Sequence, residues 1–447
     1  MHGSSEAASA VLFGLNPMWV AAILFALTYV VVMTEKINRA IVSLLAAGLM
    51  IVLGILNQEA AIRGIDFNTI GLLIGMMLIV AITRQSGVFQ FLAIWAAKKV
   101  DARPWGILVM ISLVTAVTSA LLDNVTTVLL VAPVTLLITE ELRINPYPYL
   151  FAMIFSSNIG GTATLIGDPP NIMIGSATGL TFNDFAYNLA PVVFVIMAAT
   201  LAPIYFIWGR HLRATPEDRQ RVMQFNEHEA ITDRRLLKQC LLVIGLVIAG
   251  FVFARFLGLE AATVAMTGAA LLLLLANFGH DAEHQSKHVL DAFNEVEWIT
   301  IFFFVGLFIV VHGVDGTGLL KLLADKMLAL TGGDLSATAM VILWSSAILS
   351  AIIDNIPFVA TMIPLIKAMA PSFGGPEGLM PLWWSLSLGA CLGGNGTLIG
   401  ASANLVVAGF AERAGQPIRF VQYTLMAFPI MLMSIAISMV YLYWRYL

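Results

Sequence analysis

Three aspartates stand where an apolar chain has least use for them. Asp123 and Asp354, each followed by Asn (Asn124, Asn355), interrupt the hydrocarbon-rich stretches 104–139 and 336–370. Asp168 belongs to the run Ser157-Asn158-Ile159-Gly160-Gly161-Thr162-Ala163-Thr164-Leu165-Ile166-Gly167-Asp168-Pro169-Pro170-Asn171. An ionised carboxylate at mid-bilayer costs about 2.5–3.5 kcal/mol on insertion scales, so residues of this kind imply partners. No Lys or Arg lies near them in sequence, which points to protons or metal cations. The glycines and prolines stop a helix. Unwound backbone at membrane depth is tolerated only where protein buries it or water reaches it. Half-helix N-termini and freed carbonyls then face a shared gap as fixed partial charges.

The glycine-rich break occurs twice. Gly393-Gly394-Asn395-Gly396-Thr397-Leu398-Ile399-Gly400-Ala401-Ser402-Ala403-Asn404 matches the first copy at Gly160/Gly393, Thr164/Thr397, Gly167/Gly400 and Asn171/Asn404, all at a shift of 233 (393 − 160). Gly75/Gly306, Gly87/Gly318, Asp123/Asp354, Asn124/Asn355 and Pro133/Pro364 share a shift of 231 (306 − 75) in the same order. Identities at one spacing over so long a stretch indicate a duplication. The residues expected to line the polar centre are Asp123, Asn124, Thr126, Asn158, Gly161, Thr162, Thr164 and Asn171 from the first copy. From the second come Asp354, Asn355, Asn395, Thr397 and Asn404, with Ser402 beside them. Asp123, Asp168 and Asp354 are expected to carry the coupled proton or ion. A competing role is plain capping, in which Asp123 and Asp354 bond the free N–H groups of the following half-helix.

Other polar residues carry weaker signals. Thr127 and Thr361 suit interhelical bonds, and His312 suits a satisfied or interfacial position rather than a proton relay. Gly71 and Gly75 form a close-packing pair, and Cys391 lies beside the second break. Trp19, Trp383, Trp384, Tyr443 and Trp444 suit anchoring at the membrane interface.

The elements that must position these residues follow from composition. The chain is 59% hydrophobic and 11% charged, with a mean hydropathy of +0.90. Apolar runs of about 18 or more residues recur throughout, which excludes a soluble domain and defines an all-α polytopic membrane protein. Two cysteines, Cys240 and Cys391, make neither a disulfide framework nor a metal cluster. Residues 1–16 lack the basic start and cleavage pattern of a signal peptide, so the first apolar run is expected to remain in the mature chain. Spans are expected at 17–34, 38–57, 69–84 and 186–208, then at 236–256, 260–277, 298–313 and 421–444. Amphipathic helices are expected at 89–100 and 318–330.

The first repeat covers 1–208, with a hairpin at 104–139 and a broken helix at 148–180. A hydrophilic linker, 209–235, precedes the second repeat, 236–447, with a hairpin at 336–370 and a broken helix at 382–415. If each hairpin is re-entrant, each half crosses five times. The odd number forces the two copies into opposite orientation, with discontinuous helices at the centre. The scheme puts 17 of the 23 Lys and Arg on the linker's side of the membrane and 6 on the other. The positive-inside rule then makes the linker cytoplasmic.

Asp123-Asn124-Val125-Thr126-Thr127 together with the run Gly160 to Asn171 strongly resembles the ArsB/P-protein branch of the ion transporter superfamily, from about residue 17 to the C-terminus. The resemblance implies a scaffold domain and a transport domain, hairpin tips and broken helices around the substrate, and elevator-like alternating access. It implies a bacterial inner-membrane exporter of arsenite and antimonite, with a homodimer and a soluble arsenite-stimulated ATPase as candidate partners. Asp-Asn stands where the dicarboxylate branch carries Ser-Asn-Thr, which argues against dicarboxylate or citrate transport.

Arsenous acid is largely un-ionised at neutral pH and presents three hydroxyls. It suits a site of carboxylates, amides and carbonyls without basic residues. The expected function is therefore proton-coupled arsenite or antimonite export, with sodium/proton antiport as the alternative and a channel still open. An intramembrane aspartyl protease fits poorly, because the acids sit in Leu-Asp-Asn, Ile-Gly-Asp and Ile-Asp-Asn rather than Tyr-Asp and Gly-x-Gly-Asp. No enzymatic activity, cofactor, resident metal or nucleic-acid partner is expected.

Overall fold

The computed structural model describes residues 14–34 and 36–447, and the expectation for the N-terminal sixteen residues falls mostly outside them. The first half is built from α1 (Pro17–Met33), α2 (Arg39–Val52), a short α3 (Gln58–Arg63), α4 (Phe67–Gln85) and α5 (Val88–Lys99). It continues with α6 (Pro104–Leu121), α7 (Asn124–Glu141), α8 (Tyr147–Thr162), α9 (Pro169–Thr178) and α10 (Phe182–Ile207). The linker folds α11 (Pro216–Met223). The second half follows with α12 (Arg234–Leu257), α13 (Ala261–Asn277), α14 (Ala282–Asn294), α15 (Trp298–Gly316) and α16 (Leu319–Leu330). Then come α17 (Leu335–Ile352), α18 (Asn355–Ala368), α19 (Met380–Gly393), α20 (Ser402–Arg413) and α21 (Phe420–Tyr446). Among the described residues, eight helices are long and apolar enough to cross a membrane. Helices α3 and α14 were not expected: α3 is brief, and α14 lies in a polar stretch with few apolar positions.

Length alone would let α6, α7 and α17 span the bilayer. The tip of the first pair, α6 and α7, lies beside the break between α8 and α9. Helix α4 runs the full depth: at one end Asp66 accepts from the Ser176 hydroxyl at the end of α9 (2.8 Å). At its other end, Thr232 of the linker donates its N–H to the Ser86 carbonyl (3.2 Å). Helix α8 starts on the linker's side, where the Tyr149 hydroxyl donates to the Pro104 carbonyl at the start of α6 (2.8 Å). The first hairpin and α8 run side by side, and the tip stops level with the break before α9. Ten further residues of α9, about 15 Å of helix, lead on to the far side. The hairpin tip therefore ends at that break rather than at the far end of α9.

The two hairpins open on opposite sides. Arg219 and Arg221 of α11 donate to the carbonyls of Asp101 (2.8 Å) and Glu141 (2.9 Å) at the open ends of the first. Lys367, at the open end of the second, shares a cavity with Arg63 and Asp66 on the far side. The halves also exchange partners. A Cβ on Gly75 of α4 would lie 2.7 Å from the Ala265 backbone of α13. A Cβ on Gly306 of α15 would lie 2.5 Å from the Ser43 backbone of α2. Each contact needs glycine so that two helix backbones can meet. Trp19, Tyr443 and Trp444 are exposed, as anchors would be, but Trp383 and Trp384 are buried. Trp384 stands edge-on to Phe185 in the core, 5.3 Å between centroids, so these two tryptophans pack rather than anchor.

Candidate functional site

The site begins with how each broken helix is held open. Helix α8 stops at Thr162 and α9 starts at Pro169, whose missing N–H suits a first helical turn. Between them the freed carbonyls must find donors. The Asn171 side chain donates to the carbonyls of Thr162 (3.1 Å) and Thr164 (2.9 Å). Asn404 does the same for Gly394 (2.7 Å) and Thr397 (2.9 Å). Hydroxyls then pin each break to the hairpin beside it. Ser119 donates to the Ser157 carbonyl and Ser350 to that of Ala390, both at 2.6 Å. Thr164 donates to Ala120 and Thr397 to Ala351, both at 2.5 Å. A Cβ on Gly160 would sit 2.2 Å from the Ala116 carbonyl oxygen, and one on Gly393 2.5 Å from that of Ala347. The paired positions of the two breaks therefore make matching hydrogen bonds.

Amides link the two copies at the centre. Asn158 donates to the side-chain oxygens of Asn395 (3.0 Å) and Asn404 (2.9 Å), and accepts from Asn124 (3.2 Å). Across the centre, the Asn171 oxygen accepts from Ser387 (2.6 Å) and from the Cys391 thiol (3.6 Å). Asn355 donates to Asp168 at 3.4 Å. Cys391 stands at the position equivalent to Asn158 (391 − 158 = 233), and each reaches the asparagine of the opposite break.

The carboxylates combine capping with exposure to a cavity. Asp123 accepts from the Thr126 N–H (2.7 Å) and Asp354 from the Ile356 N–H (3.1 Å), each capping the second hairpin arm. Asp168 makes no such cap. One oxygen of Asp123, one of Asp168, the Asn124 carbonyl, the Thr127 hydroxyl and the Asn395 amide nitrogen are buried without a protein partner. A cavity of about 320 Å³ reaches Asp354, Glu297, Arg39, Ser402 and Val125. A smaller one of about 30 Å³ continues between Arg39, Glu297, Thr300, Ser402, Asp123 and Pro169. The larger opens toward the linker, since Glu297 lies two residues from Glu295, which pairs with Arg84 at the linker end of α4.

Arg39 is the correction to the sequence reading. A site free of basic residues was expected, yet the Arg39 guanidinium bonds Asp354 (2.9 Å), Ser402 (3.0 Å) and Thr300 (2.8 Å). It also lies over the Phe303 ring, 5.3 Å from its centroid. Glu297 and Thr300, which bond each other at 3.0 Å, were missed too. A usable signal existed: Asp66 and Thr69 stand in the first copy at the shift of 231 (297 − 66), and they likewise bond each other, at 2.6 Å. Arg39 has no such signal.

Other expected residues take backbone partners. The Thr162 hydroxyl bonds the Asn158 carbonyl (2.7 Å), and Gly161 meets the Gly167 backbone across the break. Thr126 contributes its N–H to the cap. Thr361 shares a hydrogen bond with the Tyr29 hydroxyl (2.6 Å), an interhelical contact. His312 packs on Gly64 and lines the far cavity with Asp315 and Lys367, away from the carboxylate cluster. Gly71 and Gly75 pack on α13.

A helical bundle whose broken helices and hairpin tips enclose a polar centre reached by a one-sided cavity is the build of a membrane transporter. The chain belongs to the citrate transporter family, whose pattern it matches over residues 29–389. It is 43% identical over 431 residues to an uncharacterized transporter of Mycobacterium bovis, covering 96% of this chain and 98% of that one. It is 33% identical over 506 residues to the P protein of Sus scrofa, covering 95% of this chain and 59% of the P protein. Two solved structures share the fold. The YdaH transporter of Alcanivorax borkumensis has a TM-score of 0.60 at 13% identity, covering 96% of this chain and 98% of that one. MtrF of Neisseria gonorrhoeae has a TM-score of 0.56 at 11% identity, covering 97% and 95%.

Proposed function

We propose that this chain is a proton-coupled secondary transporter that exports trivalent arsenic or antimony as the neutral hydroxide. The observation that carries the reading is the balance of charge at the centre. Asp123, Asp354 and Glu297 reach the cavities, and Asp168 adjoins Pro169 in their wall, against one guanidinium among the described residues, that of Arg39. Three hydrogen bonds commit that guanidinium to the chain's own side chains. Such a site repels a polyanion and suits hydroxyl-rich neutral solutes, with protons exchanging on the acids. The two halves are inverted repeats, the linker lies in the cytoplasm, and the cavity open on its side is the inward-facing state. Substrate enters past Asn38 and Glu297 toward the hairpin tips.

Carboxylate transport is the second reading. The family's description and the presence of Arg39 favour it, and they weaken the sequence argument against citrate. Sodium/proton antiport draws on the same excess of acids. Everted vesicles carrying the protein separate the three. Metalloid uptake that a protonophore abolishes supports export coupled to protons. Citrate uptake without metalloid uptake replaces it with the second reading, and sodium-dependent recovery of a quenched pH dye replaces it with antiport.

A further inference from the structure

Helix α14 and the turn before it carry a feature that the transport site does not use. His280, His284 and His288 follow one another at four-residue intervals, and their rings are in mutual contact. Ring centroids lie 4.6 Å apart for His280 and His284, 4.2 Å for His284 and His288, and 5.8 Å for His280 and His288. His280 and His284 are exposed and His288 is half-buried. The helix connects α13 to α15 on the linker's side, outside the membrane spans and away from the lining of the cavities.

Two histidines four apart on a helix present their rings on one face, the arrangement with which helices hold zinc. Neutral imidazole suits zinc, copper and nickel ions. Among the described residues, no three His, Cys, Asp or Glu side chains converge on one point as they stand. The rings of His280 and His284 are stacked, 18° between planes, so an ion requires them to turn. Turning an exposed ring between staggered rotamers is a small rearrangement.

We infer that His280, His284 and His288 form a binding site for a divalent transition-metal ion on the linker's side of the membrane, separate from the transport cavity. Three imidazoles leave the fourth tetrahedral position to water. Gln285 follows His284 at the position where a hydrolytic zinc helix carries Glu, so the site binds without a general base. The inference does not rest on the transport reading.

The test is titration of Zn²⁺ and Ni²⁺ into tag-free, full-length protein in detergent, read by calorimetry and equilibrium dialysis. One ion is expected to bind per chain. Loss of even an outer-shell partner costs a metal site about 10–100-fold, so His284→Gln or His288→Gln should weaken binding at least about tenfold. His280→Gln should weaken it less, and His312→Gln should leave it unchanged. Metal-free melting curves that match the parent's show that the variants fold. Parent protein that binds neither ion, or a His284→Gln/His288→Gln protein that binds as the parent does, overturns the site.

Discussion

Replacing Arg39 by Gln removes the one cation that, among the described residues, faces the carboxylates, and leaves Asp354 with its cap and a 3.4 Å contact from Ser402. The ion-paired side chains are 25% and 18% exposed. Exposed pairs contribute about 0–1 kcal/mol, whereas removing one partner of a fully buried pair costs about 3–5 kcal/mol. An intermediate burial places the loss at about 1–3 kcal/mol. Unfolding entropy of about 2.1 cal/mol/K per residue over 447 residues turns this into a fall of about 1–3 °C in the melting midpoint. The assay is a thermal melt of purified protein for Arg39→Gln, Asp354→Asn and the double variant. If an uncompensated carboxylate causes the loss, Asp354→Asn in the Arg39→Gln background restores part of it. A single variant that melts with the parent, or a double variant whose loss equals the sum of the singles, refutes the reasoning.

Four further outcomes follow from the same geometry. Gly160→Ala and Gly393→Ala drive a Cβ into a hairpin carbonyl and should each cost about 1–3 kcal/mol, whereas Gly48→Ala, in open space within α2, should be neutral or slightly stabilising; thermal melts compare the three. Asn171→Ala and Asn404→Ala each strip two carbonyls of their donor and should cost about 1–3 kcal/mol per orphaned group, seen as a lower melting midpoint and lost vesicle uptake. Asp123→Asn and Asp354→Asn should reach the membrane at parental levels yet lose uptake; parental rates in both would reduce these acids to caps. The Thr215 hydroxyl, with Arg221 and Arg143 nearby, holds the Asp218 carboxyl below its ordinary value. A lowered value means that the contribution is present above the usual carboxylate range and is lost as pH falls through the folded value. Limited proteolysis of the linker should therefore accelerate as pH falls below about 4, and Asp218→Asn should abolish that dependence.

Much of the architecture was legible in the sequence because a bilayer leaves few choices. Backbone polar groups must be satisfied within each span, so apolar runs mark helices and glycine–proline clusters mark breaks. The shifts of 231 and 233 pointed to paired positions that make matching hydrogen bonds, and Asp123 and Asp354 stood out because charge is costly in hydrocarbon. Tertiary structure alone decided which polar groups face the cavity. Arg39 and Asp354 meet across 315 residues of sequence, and no local pattern announces that pairing. Thr164 and Thr397 looked like lining residues, but their hydroxyls bond hairpin carbonyls that folding brings against them. Trp383 and Trp384 looked like anchors, but packing beside α10 buries them. Composition and period fix where a chain must cross and where it must break, because those demands are local. Which side chains then share an acid-rich pocket depends on how the two copies interlock, and that is a property of the folded molecule.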